Sequence, residues 1–293
     1  MKAKIAILSI LLFSPHFYRN QTKNTTMGKQ LVYNVSIGAV VGAVGAIINK
    51  KQEQQWAKVL AKGFYQGALG GYITFESKRL VNLAEKNSDW TILWCAKIVN
   101  VAGTSVKENA ALNEDFWKKW HINIGFSRIE FETQNQFKVN YKIMPIALVS
   151  TIGIATQAKF ELNKTLMSGE FVFSSNTRRF SETNSLAATF PGSVVISTPE
   201  LNNFSTLSHE IIHLYQANDF STFEAFYNKP LNSMNRKSQF LDKTNKFIHF
   251  DFRYLPQLLL YKQQSDRSHY YYDNIFEREA GFYSNTFDGF ILK

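Results

Sequence analysis

"TLSHEIIHLYQ", Thr206–Gln216, carries two histidines four residues apart, with a glutamate directly after the first. On an α-helix this spacing puts His209 and His213 on one face, one turn from each other. Leu207, Ile211, Ile212 and Leu214 fill the other faces with uncharged, core-suited side chains, and no proline interrupts. Ser205 and Thr206 are good helix-start residues. The stretch therefore predicts a buried helix. Two imidazoles so spaced can hold one Zn²⁺ at about 2.0–2.1 Å per bond. Glu210, rotated about 100° from His209, projects beside such an ion rather than onto it. There its carboxylate can take a proton from a bound water. The competing reading is a buried helix whose histidines make only structural hydrogen bonds.

Upstream of this helix the period of the sequence changes. "HINIGFSRIEFE" places Ile122, Ile124 and Phe126 on one face, then slips by one place to Ile129 and Phe131, which suggests a bulge at Gly125 to Arg128. "FKVNYKIMP" alternates through Phe137, Val139, Tyr141 and Ile143, and "AKFELN" and "GEFVFSS" continue the pattern. These segments predict an antiparallel meander over 119–175. Within it, 143–158 is uncharged and is expected to be a buried strand pair, because Pro145 argues against one continuous spanning helix. The turn-rich 174–193 marks a boundary, "VVISTP" a short strand, and the chain then becomes helical.

The N-terminal part has a different character. Lys2 and Lys4 ahead of the apolar run Ile5–Phe13 form the pattern of a secretory signal; the alternative is a leader with Met27 as the start. Residues 31–49 are uncharged, with Gly38, Gly42 and Gly45 at helical spacing. "KGFYQGALGGYITFESKRL" repeats the theme with Gly63, Gly67, Gly70 and Gly71. Such seams suit either a membrane-inserted pair or a soluble helical hairpin. A third apolar segment, "DWTILWCAKIVNVAGTSVKENAALN", is interrupted by Lys97 and Lys107 and reads as packed helix, with Glu108 in a structural polar contact. The expected fold class is thus α+β. Its divisions are a signal or leader over 1–26, Gly-rich helices over 27–118, the meander over 119–175, and a helical zinc-binding part over 176–293.

The chain of 293 residues has a net charge of +10, with lysine spread rather than blocked. That distribution disfavours nucleic acid as a partner and suits anionic headgroups or envelope polymers. A single cysteine, Cys95, rules out an intrachain disulfide and a Cys-rich zinc finger.

The His-Glu-x-x-His helix resembles the active-site helix of zincin metallopeptidases. Its extension to Gln216 matches a variant found in bacterial zincins. The metzincin pattern requires Gly and then His after the second histidine, and "LYQANDF" departs from it. The resemblance is to gluzincins, in which a glutamate on a later helix is the third ligand. "NIFEREAG" supplies Glu277 and Glu279. Glu277-Arg278-Glu279-Ala280 matches the first four places of the family's Glu-x-x-Ala-Asp, and Gly281 stands where the Asp would be. The small Ala280 and Gly281 share a face with Glu277, whereas Phe282 and Tyr283 share one with Glu279, which favours Glu277. A capping box, Asn274-x-x-Glu277, is its alternative role. Tyr283, His269 and Tyr270–Tyr272 are candidate donors to a developing oxyanion, and Asp219 either orients a histidine or ends the helix. The resemblance spans about 200–285.

The resemblance implies a zinc metallopeptidase acting on a peptide or protein substrate. His209, His213 and Glu277 (or Glu279) would be metal ligands, and Glu210 the catalytic base. The leader and Gly-rich segments add an exported or membrane-associated place in the cell envelope. A non-catalytic envelope protein with a zinc staple is the alternative, and a lipid-binding protein built on the Gly-rich segments is the third.

Overall fold

The computed structural model describes residues 25–134, 136–176 and 185–287. The expected signal segment falls almost wholly outside them. The fold is α+β.

Three helices open the described chain. α1 (Met27–Ile48) starts at Thr26, whose hydroxyl accepts from the Lys29 N–H. α2 (Trp56–Asn87) ends where Ser88 turns left-handed at φ 50°. Asp89 caps α3 (Trp90–Ala111), accepting from the Thr91 N–H at 2.9 Å. The glycines let α1 and α2 touch backbone to backbone. A Cβ at Gly38 or Gly67 would run into the carbonyl oxygen of the other. Deep in α3, Glu108 meets Arg128 at 2.8 Å, the structural contact its surroundings suggested. Burial opposes charge on Glu108, but the Arg128 guanidinium outweighs it and holds the carboxyl down to about 2.

The meander is real but shorter than the alternation implied. β1 (Lys119–Ile124), β2 (Ser127–Glu132) and β3 (Lys138–Ile143) form an antiparallel sheet in the order β1-β2-β3. The slip in alternation is a hairpin turn, not a bulge. Ile124 pairs with Ser127 across Gly125-Phe126, and Gly125 takes φ 56°. The expected strand pair over 143–158 is replaced by helix α4 (Pro145–Ala155), with Pro145 in its first turn. Proline there lacks only an N–H that a helix start leaves unpaired anyway.

A second sheet follows, in the order β4-β5-β7-β6. β4 (Lys159–Phe160) and β5 (Phe171–Ser175) flank α5 (Leu162–Ser168). β6 (Ala187–Phe190) and β7 (Ser193–Ser197) join through Pro191-Gly192, the glycine at φ 74°. β5 and β7 pair in parallel, which no local alternation signals. α6 (Phe204–Asp219) packs across β6 and β7. Then come α7 (Glu224–Lys237), α8 (Gln239–Phe247), α9 (Tyr254–Ser265) and α10 (Ile275–Tyr283).

One apolar cluster ties these pieces together. Val172, Val194 and Ile196 of the second sheet meet Leu207, Ile211 and Ile212 of α6, with Val81 and Leu93 from the N-terminal helices and Ala280 from α10. Each large aliphatic side chain buried here contributes roughly 1.5–3 kcal/mol. That packing fixes the rotation of α6, and so the direction its histidines face.

Candidate metal centre

α6 begins two to three residues earlier than its hydroxyl residues suggested. Asn203 is the cap, its Oδ1 accepting from the N–H groups of Ser205 (3.1 Å) and Thr206 (3.3 Å). From there the helix is almost entirely buried, His209, Glu210 and His213 included.

The two imidazoles turn their Nε2 atoms toward each other, 3.1 Å apart. Glu277, in the first turn of α10, completes the group. Its Oε2 lies 3.1 Å from His209 Nε2 and 3.3 Å from His213 Nε2. The capping alternative fails here. Asn274 alone caps α10, accepting from the Phe276 N–H at 2.9 Å, while the Glu277 carboxylate points into the histidines. Its other oxygen accepts from the Tyr261 hydroxyl at 2.6 Å. Tyr271, among the candidate donors, also bonds Glu277. Both phenols are held above their ordinary pKa, by burial first and then by the carboxylate they face.

The far sides of the rings are tied as well. His213 Nδ1 lies 2.8 Å from Gln216 Oε1. That amide's nitrogen donates to the Phe276 carbonyl (2.8 Å) and to Glu279 Oε2 (3.0 Å), so its oxygen must face the ring. An amide oxygen only accepts, so Nδ1 carries a proton, and Nε2 is the nitrogen left to give up its proton to a metal. His209 Nδ1 faces the hydroxyls of Thr286 (3.2 Å) and Ser284 (3.3 Å). Ser284 spends its own proton on the Ala280 carbonyl, leaving its oxygen to accept.

Two nitrogens and a carboxylate oxygen thus form a triangle with edges of 3.1, 3.1 and 3.3 Å. Three ligands about 2.0–2.1 Å from one tetrahedral zinc ion stand about 3.3–3.4 Å apart. The residues fit the ion, and two histidines with one glutamate form a recognised three-ligand catalytic set with a fourth position open. Burial opposes protonation of His213, yet Glu277 outweighs it and raises the ring's pKa to about 9. Burial likewise works against the Glu277 charge, and the two imidazoles override it and hold that carboxyl well below the usual range.

Glu210 sits beside this triangle. Its Oε2 accepts from the Thr189 hydroxyl of β6 at 2.7 Å. His209, Glu210 and His213 each offer an atom within 4.8 Å of the others.

Glu279 goes elsewhere. It pairs with Lys78 of α2 at 2.9 Å, and Lys78 also bonds Asp219 at 2.8 Å. Lys107 of α3 takes the other Asp219 oxygen at 2.9 Å. Asp219 therefore neither orients a histidine nor simply ends α6. Gly281 does not bring α10 toward α6. A Cβ there would strike the Tyr272 ring, while Ala280 makes the close contact with the core. Tyr283 is buried toward Glu279 and Asp219, and Tyr272 bonds the Thr286 carbonyl at 2.7 Å. Thr189, Tyr261, Ser284 and Thr286 at the site, and Lys78 in the neighbouring cluster, carried no signal in the sequence, because each arrives from a distant segment.

No family model matches this sequence, and neither a curated protein nor a solved structure matches the chain.

Proposed function

We propose that the chain is a zinc-dependent hydrolase acting on peptide bonds. His209, His213 and Glu277 hold the metal, and Glu210 is the general base. One observation carries this reading. Three buried ligand atoms converge at metal-site spacing while the opposite nitrogen of each histidine is held by a separate partner. Histidines in purely structural roles do not need their lone pairs aimed at a common point.

Zinc bound there would act as a Lewis acid and lower the pKa of its water toward about 7. The protein's part is positioning and proton transfer. Thr189 holds Glu210 Oε2, which leaves Oε1 to accept a proton and later return it to the departing amine. Tyr261 fixes the Glu277 carboxylate so that one oxygen faces both rings. A peptide fits better than a compact small molecule because β6 lies at the edge of its sheet. Among the described residues its outer side has no strand partner, and an extended peptide can pair with such an edge. Thr189 lies on that strand, so a peptide bound there passes close to Glu210.

Metal analysis with a peptide-library assay tests this reading. Wild type is expected to bind one zinc per chain and to cleave. Glu210→Gln should keep the zinc and lose the cleavage. Wild-type protein without metal would refute the reading, and full zinc occupancy without cleavage would reduce the site to a staple.

A further inference from the structure

The first helical pair inverts the usual distribution of side chains. In α1 the buried positions hold Gln30, Asn34, Gly38, Gly42 and Gly45, with alanines between them. None of its leucines, valines or isoleucines is buried. The first half of α2 is similar, with Val59 its one buried branched aliphatic. It buries Gly63, Gly67, Gly70 and Gly71 and exposes Leu60, Phe64, Tyr65, Leu69 and Tyr72. Exposed single apolar residues are ordinary, but an outward face this rich in them, broken on α1 by Ser36, over a polar, small-residue interior is not.

α1 is long and apolar enough to cross a bilayer. Its anchors point to a different placement. Asn34 Nδ2 donates to Glu279 Oε1 of α10 at 3.3 Å, and Asn49, at the other end, donates to the Ala225 carbonyl of α7 at 2.9 Å. These points lie about 22 Å apart along the helix. Both belong to the part of the chain that bears the histidines. A helix crossing a core about 30 Å thick would put at least one of these polar anchors, and the body it holds, inside the hydrocarbon. The α1–α2 pair instead lies along the body, with its apolar side outward.

We propose that this outer face rests in the plane of an anionic lipid bilayer, seated among the upper acyl chains without crossing them. Three features favour lipid over a protein partner. Tyr65 and Tyr72 have an apolar body and a polar tip, and Trp56 is 66% exposed at the start of α2; these residue types concentrate at membrane–water boundaries. Lys51 and Lys58, both exposed, border the face and suit phosphate headgroups. The chain's net charge of +10 adds a general attraction to an anionic surface. The inference is independent of the chemistry at the histidines.

The test floats the full chain with vesicles of phosphatidylcholine and phosphatidylglycerol. Wild type is expected to float with the lipid. Val40→Glu combined with Leu69→Glu should lower the partition coefficient by about tenfold or more, roughly what losing one large apolar side chain from lipid costs. Both positions are exposed, so thermal melting by circular dichroism should not change. Tyr33→Cys, Val40→Cys and Ile47→Cys, each made in Cys95→Ser and labelled with a fluorophore, lie seven residues apart on one side of α1. Lipid-borne quenchers should report the same shallow depth at all three. Wild type that stays with the buffer overturns the proposal, and so does undiminished flotation of the double variant. A depth that is greatest at position 40 and shallower at 47 would mean a spanning helix and overturn the proposal. Sedimentation showing a dimer that ignores vesicles and dissociates in the double variant would assign the face to a second copy.

Discussion

Two buried charge clusters share α6 and α10, and they are built on opposite plans. In one, Lys78 and Lys107 face Asp219 and Glu279, two cations against two anions, with each lysine on at least one carboxylate. In the other, Glu277 faces two imidazoles and two phenols. The first cluster is closed: its charges answer each other and nothing further is called for. The second gathers two imidazoles and a carboxylate around one point, which we propose a metal fills. Glu277 and Glu279 are two residues apart on the same short helix, yet one belongs to each plan. Carboxylates of equal burial can thus differ completely in role, and the partner's chemistry tells them apart.

The contrast breaks most visibly at Glu210. Glu210→Gln is expected to lower peptide cleavage by about 10²–10⁴-fold with zinc content unchanged, read by steady-state kinetics beside metal analysis. A variant that loses zinc as well would move Glu210 among the ligands.

The closed cluster predicts the reverse pattern. Lys78→Met strands the buried Glu279 and leaves Asp219 to Lys107 alone, and should cost about 3–5 kcal/mol in denaturant unfolding, while the folded fraction still binds zinc. Glu277→Gln should abolish zinc binding, and in the metal-free protein it should also lower stability near neutral pH, because it removes the carboxylate that faces the buried His213. A Lys78→Met cost below about 1 kcal/mol would show that the closed cluster is not holding the helices.

Acid gives a third test, on the α3–β2 pair. The folded pKa of Glu108 is depressed to about 2, below its unfolded value near 4.5. Its contribution is therefore complete above about pH 4.5 and is lost as pH falls toward 2, about 3 kcal/mol in all. Glu108→Gln should flatten that part of the acid-unfolding curve.

The smallest effect lies where the two clusters touch. Gln216 bonds His213 on one side and Glu279 on the other. Gln216→Ala should weaken zinc binding by about 10–100-fold, measured by competition with a chelator, with the ligands themselves untouched.

What could be read from the chain was what is local. His209, Glu210 and His213 were legible because helical periodicity alone brings them together. Glu277 was legible for a reason only half right, since Ala280 packs as its size suggests while Gly281 makes room for Tyr272. The 143–158 run misled because an uncharged apolar stretch fits a strand or a helix equally well. Pro145 starts a helix here and breaks none. Thr189 and Tyr261 at the site, and Lys78 in the neighbouring cluster, were invisible because tertiary packing, not spacing, brings them there. Neither could the parallel pairing of β5 with β7 be foreseen, since a crossover leaves no mark on local alternation.

The glycine contacts between α1 and α2 govern how this chain can drift over time. Where Gly38 and Gly67 press on each other's backbone, even alanine is barred. If the outward face meets lipid as proposed, its apolar positions need only stay apolar and can exchange among Val, Ile, Leu and Phe. Overall identity would therefore decay quickly here while the glycine spacing persists. Distant kin of this protein would be recognised by the rhythm 38, 42, 45 and 63, 67, 70, 71 paired with the histidine helix, sooner than by any stretch of matching letters.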